Sequence, residues 1–195
     1  MALPHDTISQ QFYQQMQQNG FSETQIEQLL DGAFPLELPT RHILINQGEM
    51  PSHFYFVSQG ICHASYLTEQ GKEFSKEFYW EEDWIIGFEN LIENTPSPYL
   101  LETLTPVVLL CLPLQHLHQW RSEAHPLYLK LLETQLIHKE HKERVMLLLR
   151  PEQRYQAMCE QFPDLIPRIS DSLIAAYLGI TPISLSRIKA RLRVK

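Results

Sequence analysis

The residues whose chemical role is easiest to infer are the cations at the C-terminal end of the chain. From residue 182 onward there are five Lys and Arg and no Asp or Glu. If the apolar residues of this stretch face a core, helical spacing leaves a polar, cationic face on the other side. That face consists of Ser184, Arg187 and Arg191, flanked by Lys189, Arg193 and Lys195. Such a helix suits nucleic acid, because phosphates attract its cations and its face meets base edges in the major groove.

A turn and a second short helix are predicted just before this basic helix. Apolar residues recur at helical spacing on both sides of Gly179, which is expected to take a positive φ, and Ala175 is small enough for a close helix crossing. Thr181 is expected to cap the basic helix and Pro182 to occupy its first position. Residues 171–193 therefore predict a helix-turn-helix. An ordinary helical hairpin is the alternative, and the one-sided charge favours DNA binding.

Charge is distributed unevenly along the chain. The net charge is −7, but residues 1–120 carry 3 Lys and Arg against 15 Asp and Glu, whereas residues 121–195 carry 13 against 8. The first part therefore stands at −12 and the second at +5. This asymmetry predicts an acidic module joined to one that meets a polyanion.

Cysteine spacing and hydropathy argue against disulfide-rich, metal-cluster and membrane-spanning classes of protein. Cys62, Cys111 and Cys159 lie far apart, which predicts free thiols and neither a disulfide framework nor a zinc or iron–sulfur site. No apolar run approaches the length of a membrane span, and the chain begins without a signal-peptide pattern. We therefore expect a cytoplasmic protein that contacts no membrane.

Strand patterns dominate the first 120 residues after a short helical start. Residues 5–31 predict two helices around Gly20, the second capped by Ser22 and Gln25. From Ala33 the sequence changes to short runs rich in β-branched and aromatic residues, which predict a barrel or jelly roll. Its turns are marked by Gly48, Gly60, Gly71 and Gly87. A short helix over 115–121 is expected to close the barrel.

One long helix is predicted over residues 125–150, which contain no glycine and no proline after Pro126. It is too long to be covered by a barrel of this size, so a second copy of the helix is expected to pack against it in a homodimer through residues 126–150. Gln135, His138 and Lys142 interrupt the apolar heptad, which predicts a seam with a polar middle.

The order of these elements resembles the Crp/Fnr superfamily of bacterial transcription regulators. The resemblance covers about residues 33–193 and is carried by INQGEMPSHFYFVSQG, the turn at Gly71 and Lys72, and AAYLGITPISLSRIK. The last motif resembles the branch that is common in Bacteroidetes-type bacteria.

The resemblance implies an α+β fold. It comprises an N-terminal cyclic-nucleotide-binding-like β-barrel (a double-stranded β-helix or jelly roll) with flanking helices, a long dimerisation helix and a C-terminal helix-turn-helix. The corresponding domains are a sensor over 1–121, the dimerisation helix over 122–150 and the DNA-binding domain over 151–195.

The resemblance also implies an effector pocket at the segment GFENLIENTPSPYLLETL. Gly87 matches the family pattern, Phe88 stands where a glutamate is usual, and Ser97 stands where an arginine is usual. No Lys or Arg occurs between Lys76 and Arg121, so cyclic AMP is not the expected ligand, because a buried phosphate needs a cationic partner. The expected pocket residues are Trp84, Ile86, Gly87, Phe88, Glu89, Asn90, Ser97 and Tyr99, with Glu143 and Arg144 from the long helix. The effector is unidentified, an uncharged or apolar ligand is one hypothesis, and no cofactor is assigned.

Double-stranded DNA is the expected partner of the C-terminal module, with RNA polymerase as a further one. The positions that read bases in the family fall on Pro182, Ile183 and Arg187, and of these only Arg187 can donate hydrogen bonds to a base. The full set expected at the interface is Thr181, Pro182, Ile183, Ser184, Ser186, Arg187, Lys189, Arg191 and Arg193.

The sequence also allows functions other than DNA binding. A ligand sensor that acts through protein contacts without DNA is the main alternative. Nine histidines, with close pairs at His116 and His118 and at His138 and His141, raise the question of a metal, but no third ligand is clearly placed and none is assigned. A cupin-type enzyme is the least favoured hypothesis, because no nucleophile, base and orienting residue can be placed together. The protein is not expected to be an enzyme.

Overall fold

The structure, a computed structural model, describes the backbone of residues 4–193 and the side chains of residues 10–192. The helices are α1 (Pro4–Gln18), α2 (Glu23–Leu30), α3 (Phe88–Glu93), α4 (Gln115–Ser122), α5 (Pro126–Leu148), α6 (Pro151–Gln161), α7 (Asp171–Tyr177) and α8 (Pro182–Arg193), with a 3₁₀ turn over Ile166–Arg168. The strands are β1 (Phe34–Leu38), β2 (Ile43–Ile45), β3 (His53–Gln59), β4 (Cys62–Leu67), β5 (Glu73–Tyr79), β6 (Trp84–Ile85), β7 (Leu100–Thr103) and β8 (Val107–Pro113).

The chain divides into two compact units. The first contains residues 1–64 and 78–132, and the second contains residues 65–77 and 133–195. The outer part of the β4–β5 hairpin therefore belongs to the same unit as the C-terminal helices. The domain boundaries at residues 121 and 150 remain a prediction.

The strands form two antiparallel four-stranded sheets, with the orders β1-β8-β3-β6 and β2-β7-β4-β5. In the first sheet β8 lies between β1 and β3, with Leu36 opposite Leu109 and Phe56 opposite Leu110. The predicted α+β architecture, with an N-terminal domain of antiparallel sheets and a C-terminal helical region, is therefore confirmed.

Strands β3 and β8 are buried on both faces, because alternate side chains enter two different apolar clusters. Tyr55 and Cys111 belong to the cluster shared with residues of the second sheet. Phe54, Phe56 and Leu112 belong to the cluster formed with the helices. This double burial explains why the two strands are continuous apolar runs with no polar alternation.

The N-terminal helices pack on the first sheet. Phe12 and Met16 of α1 are fully buried, and Gln15 accepts a hydrogen bond from the indole nitrogen of Trp84 at 2.8 Å. The predicted capping box is present at the start of α2, where the backbone N–H of Gln25 donates to Ser22 Oγ at 3.3 Å and that of Ser22 donates to Gln25 Oε1 at 2.9 Å.

The second unit consists of the hairpin segment 65–77, the greater part of α5, and α6 to α8. Pro151 begins α6 directly after α5 ends, because proline is accepted at the first position of a helix but not in its interior. None of the helices in the described part of the chain combines the length and the apolar composition that a bilayer crossing requires.

Candidate functional site

Helices α7 and α8 form a tight pair joined by a short turn. Ser170 caps α7 by accepting the backbone N–H of Leu173 at 3.3 Å. Gly179 has a φ of +68°, as predicted, and a Cβ placed there would lie 3.0 Å from Met146 Cε. Thr181 caps α8, since its Oγ1 accepts the backbone N–H of Ser184 at 3.1 Å. The turn therefore contains a local signal that ends α7, at Gly179, and a local signal that begins α8, at Thr181.

The two sides of α8 differ as the sequence predicts. Leu185 and Ile188 are buried, like Ile174 and Ala175 of α7. Among the residues expected at the DNA interface, Thr181, Pro182, Ile183, Ser186, Arg187 and Arg191 are exposed, whereas Ser184 and Lys189 are half-buried. Ile183 is 67% exposed. The Arg193 side chain and Lys195 lie outside the described part of the chain.

The cations of α8 are not equivalent. Lys189 forms an ion pair with Asp171, and its ammonium also lies 5.7 Å from the centroid of the Tyr155 ring. Arg191 Nη2 lies 3.3 Å from Glu152 Oε2. Within the described residues Arg187 has no such partner, so its guanidinium is the cation that is available without breaking a contact.

Arg154 of α6 connects the ends of α5 and α7 in the second unit. Its guanidinium donates to the carbonyl oxygens of Met146 at 2.7 Å, Leu149 at 2.9 Å and Leu178 at 3.1 Å. The first two carbonyls belong to the end of α5, where the last turn has no intrahelical donors, and the third follows α7. Spacing along the sequence gave no signal for this residue, because its partners lie on two separate stretches of chain.

A polar cluster of buried and half-buried side chains lies where β5, α5 and α7 meet. His138 Nε2 lies 2.7 Å from Glu77 Oε2, and the Tyr177 hydroxyl donates to Glu77 Oε1 at 3.4 Å. The Lys142 ammonium donates to the carbonyl of Lys76 and lies 3.7 Å from the centroid of the Tyr177 ring. We name Glu77, His138, Lys142 and Tyr177 the hairpin cluster.

Two of the residues predicted in the polar middle of a dimer seam have other surroundings in the structure. His138 and Lys142 contact residues of their own chain, because the hairpin supplies a carboxylate and a carbonyl at that level of α5. Burial lowers the pKa of the Lys142 ammonium, and the charge of Glu77 opposes that shift. Burial and the neighbouring Glu77 carboxylate both raise the pKa of Tyr177.

Four of the expected effector residues lie together in the first unit. A Cβ on Gly87 would lie 1.9 Å from Asn90 Oδ1 and 2.8 Å from the Tyr99 hydroxyl, so only glycine fits there. Ser97 Oγ donates to the carbonyl of Tyr99 at 2.8 Å. Asn90 Oδ1 is buried and has no hydrogen-bond partner within the described residues, so it can accept a bond from a ligand or a water molecule.

The remaining expected pocket residues have other surroundings. Trp84, Ile86 and Phe88 belong to the apolar cluster beneath the N-terminal helices, whereas Tyr99 belongs to the cluster between the sheets. Glu89 is exposed at the start of α3. Glu143 and Arg144 are exposed on α5, in the part that belongs to the second unit.

Comparison with known proteins agrees with this architecture. Residues 35–123 match the family described as the cyclic nucleotide-binding domain. A search of curated protein sequences found no match.

Solved structures of bacterial proteins, among them two described as regulators, have the same fold. The c-di-GMP-responsive global regulator CLP of Xanthomonas campestris superposes with a TM-score of 0.69 at 18% identity, covering 89% of this chain and 92% of its own. FixK2 of Bradyrhizobium japonicum gives a TM-score of 0.69 at 14% identity, covering 83% and 85%. TTHA1359 of Thermus thermophilus, a CRP/FNR-family transcriptional regulator, gives 0.66 at 15% identity, covering 82% and 86%. Residues 35–123 thus match the cyclic nucleotide-binding domain family, and the chain as a whole has the same fold as these solved structures, with a sheet domain followed by a helical region.

Proposed function

We propose that this chain is a sequence-specific DNA-binding transcription regulator of the Crp/Fnr type that acts as a homodimer in the cytoplasm. In this proposal α7 and α8 are the helix-turn-helix, and the sheet domain is a sensor that either responds to an effector or is vestigial. Membership of the Bacteroidetes-type branch and a contact with RNA polymerase belong to the same proposal. The alternative is a sensor that acts through protein contacts only.

The observation that carries the proposal is the exposed face of α8. It presents Arg187, which has no ion-pair partner among the described residues, and the apolar Ile183. The helix is capped at Thr181 and packed against α7 through buried side chains. Arginine can donate two hydrogen bonds to guanine, and an isoleucine can contact the methyl group of thymine. Arg187 is therefore the proposed base reader, and Ile183 adds a preference for thymine.

Lys189 and Arg191 are proposed to bind phosphates after leaving their carboxylate partners. Ion pairs that are open to solvent contribute about 0–1 kcal/mol, so a DNA phosphate can replace Asp171 or Glu152 at little cost. Each exchange of a carboxylate for a phosphate still releases fewer ions to the solvent than the binding of a phosphate by an unpaired cation does. The salt dependence of binding is therefore expected to be shallower than a count of cations on α8 implies.

The proposed control of DNA binding is geometric. In a homodimer the two copies of α8 must enter major grooves about one helical turn apart, so a sensor that changes their relative angle changes affinity. The effector is unidentified. Cyclic AMP is not favoured, since the segment between Lys76 and Arg121 contains no cation for its phosphate.

The experiment is selection of bound duplexes from a random DNA pool, at two salt concentrations, with the native protein, Arg187→Ala and Lys139→Ala. Lys139 is an exposed cation of α5, so its removal makes the same charge change outside α8. We expect a palindromic motif with the native protein and with Lys139→Ala. With Arg187→Ala the motif should lose its preference at one base pair of each half-site, at a cost of about 1–3 kcal/mol per contact. No enrichment at low salt would refute DNA binding and favour the protein-contact sensor.

A further inference from the structure

Glu77 is the one carboxylate that is buried among the described side chains, with 8% of the residue exposed. An ionised carboxylate is costly to bury unless nearby groups bond to it and balance its charge. Glu77 meets this condition through His138 and Tyr177, which approach its two oxygens separately, and through the charge of Lys142.

The partners of Glu77 come from two different helices. His138 lies in the middle of α5, and Tyr177 is the last residue of α7. One side chain of the hairpin therefore holds the long helix and the first helix of the α7–α8 pair at the same time. Lys142 strengthens the junction, because it bonds to the backbone at Lys76 and lies over the Tyr177 ring.

The hairpin is joined covalently to the sensor sheets. Its two strands continue without a break into Cys62–Ala64 and Phe78–Tyr79, which belong to the first unit. Phe78, the residue after Glu77, is 3% exposed, and its ring stacks on that of His63 at 4.9 Å. A displacement of β5 in the sheet is therefore transmitted along the backbone to the neighbouring Glu77.

We propose that Glu77 is a positioning residue for DNA binding. It fixes α7 to α5 and to the hairpin, so that the position of the hairpin determines how α8 is presented. This proposal rests on the proposed function for its effect on DNA, but the junction itself is tested without DNA.

The first test measures amide hydrogen exchange in full-length Glu77→Gln, Tyr177→Phe and Glu69→Gln. Glu77→Gln keeps the size of the side chain and removes its charge, and Tyr177→Phe removes a single hydroxyl. Glu69 is exposed in the same hairpin, so Glu69→Gln makes the same chemical change outside the hairpin cluster. We expect exchange in α7 to be about tenfold faster in Glu77→Gln, to rise less in Tyr177→Phe, and to be native in Glu69→Gln. Native exchange in both cluster variants would overturn the proposal.

The second test measures affinity for the selected operator and for versions with one base pair added or removed between the half-sites. A variant that is merely less stable has a lower Tm, but its folded fraction keeps the native spacing preference. If Glu77 positions α8, Glu77→Gln binds the native spacing about tenfold more weakly, and the three spacings differ less in affinity. A native spacing preference in Glu77→Gln would overturn the positioning role.

The two proposals fail in different ways. If the native protein selects no DNA, the proposed function is refuted while the exchange experiment still decides whether Glu77 joins the helices. If the native protein binds DNA and Glu77→Gln matches Glu69→Gln in both tests, the regulator stands and the role of Glu77 is refuted.

Discussion

Two glycines of the first unit share a backbone conformation and differ in their surroundings. Gly48 has a φ of +89° and Gly60 a φ of +93°. A Cβ on Gly48 would meet nothing within 4 Å, whereas one on Gly60 would lie 2.3 Å from the carbonyl oxygen of Pro106. The pair therefore separates the cost of the left-handed backbone from the cost of a steric clash.

Replacement of each glycine by alanine should measure the cost of the left-handed backbone and the cost of the steric clash separately. We expect Gly48→Ala to lower the free energy of unfolding by about 1–2 kcal/mol, the cost of a left-handed non-glycine residue. Gly60→Ala should cost about 1–3 kcal/mol more, because a backbone oxygen must move. Urea unfolding followed by tryptophan fluorescence measures this, since Trp80, Trp84 and Trp120 all lie in the first unit. Equal losses in the two variants would contradict the clash.

The buried thiols Cys62 and Cys111 predict a loss of stability at alkaline pH. Burial raises the pKa of each from 9.0 to about 12. Above pH 9 the unfolded chain releases these protons while the folded chain keeps them, so the folded state binds more protons and stability falls as the pH rises.

The window from pH 9 to 10 limits the contribution of Tyr55, whose pKa burial also raises from 10.0 and which adds a fall of the same sign mainly above pH 10. The measurement is the free energy of unfolding by tryptophan fluorescence across that window. The double variant Cys62→Ala and Cys111→Ala should be less stable at every pH and should lose less of its stability between pH 9 and 10. The same slope in native and variant proteins would exclude the thiols as its cause.

Helix caps and tight turns could be predicted from the sequence, because each is encoded by a few neighbouring residues. The capping box at Ser22, the positive φ of Gly179 and the cap at Thr181 depend on a few neighbouring residues, and each is present. The apolar runs of β3 and β8 also predicted strands, since they combine β-branched and aromatic residues. Pairing order depends on contacts between distant segments, so the sequence could not give the order β1-β8-β3-β6.

Arg154 shows how a single side chain can join elements that the sequence separates. Its three hydrogen bonds satisfy carbonyls at the ends of α5 and α7. Arg154→Met keeps the apolar stem and leaves those carbonyls without the donor. Lysine keeps the charge but cannot reproduce the planar fork of guanidinium donors.

We expect Arg154→Met to destabilise the second unit by about 1.5–3 kcal/mol, the range for a hydrogen bond with a charged group. Arg154→Lys should recover less than half of that loss. Chemical denaturation followed by hydrogen exchange in α6 and α7 measures both variants, because the tryptophans report on the other unit. Full recovery by lysine would mean that charge, and not the geometry of the fork, holds the helix ends.

Residues that are distant in sequence create the features that local sequence patterns do not predict. Glu77 and Tyr177 are 100 residues apart, and neither has a spacing that marks it. Sequence patterns assigned His138 and Lys142 to the dimer seam because they interrupt a heptad, but a heptad does not reveal which side of a helix its own chain covers. Once the hairpin occupies that side, the opposite side of α5 is left for a partner.

The side of α5 that faces away from its own chain is apolar over much of its length. Leu129, Leu136, Ile137, Leu147 and Leu148 are exposed there, the last two by 74% and 73%. Glu140 and Arg144 lie among them. Exposed leucines in such numbers on one helix are typical of an interface, and a second copy of α5 is the partner that a symmetric regulator would supply.

Replacement of one seam residue by a charge should therefore dissociate the proposed homodimer. In a two-fold interface Leu136→Glu introduces two carboxylates and removes two leucines, each of which contributes about 1.5–3 kcal/mol when buried. We expect the dimer dissociation constant to rise by at least about 100-fold.

Thr134→Glu is the control, because Thr134 is also exposed on α5 but residues two apart on a helix do not share a face. Sedimentation equilibrium should find a dimer in the native protein and in Thr134→Glu and a monomer in Leu136→Glu. A native protein that stays monomeric at high micromolar concentration would exclude this seam, and with it a DNA site read by two copies of α8.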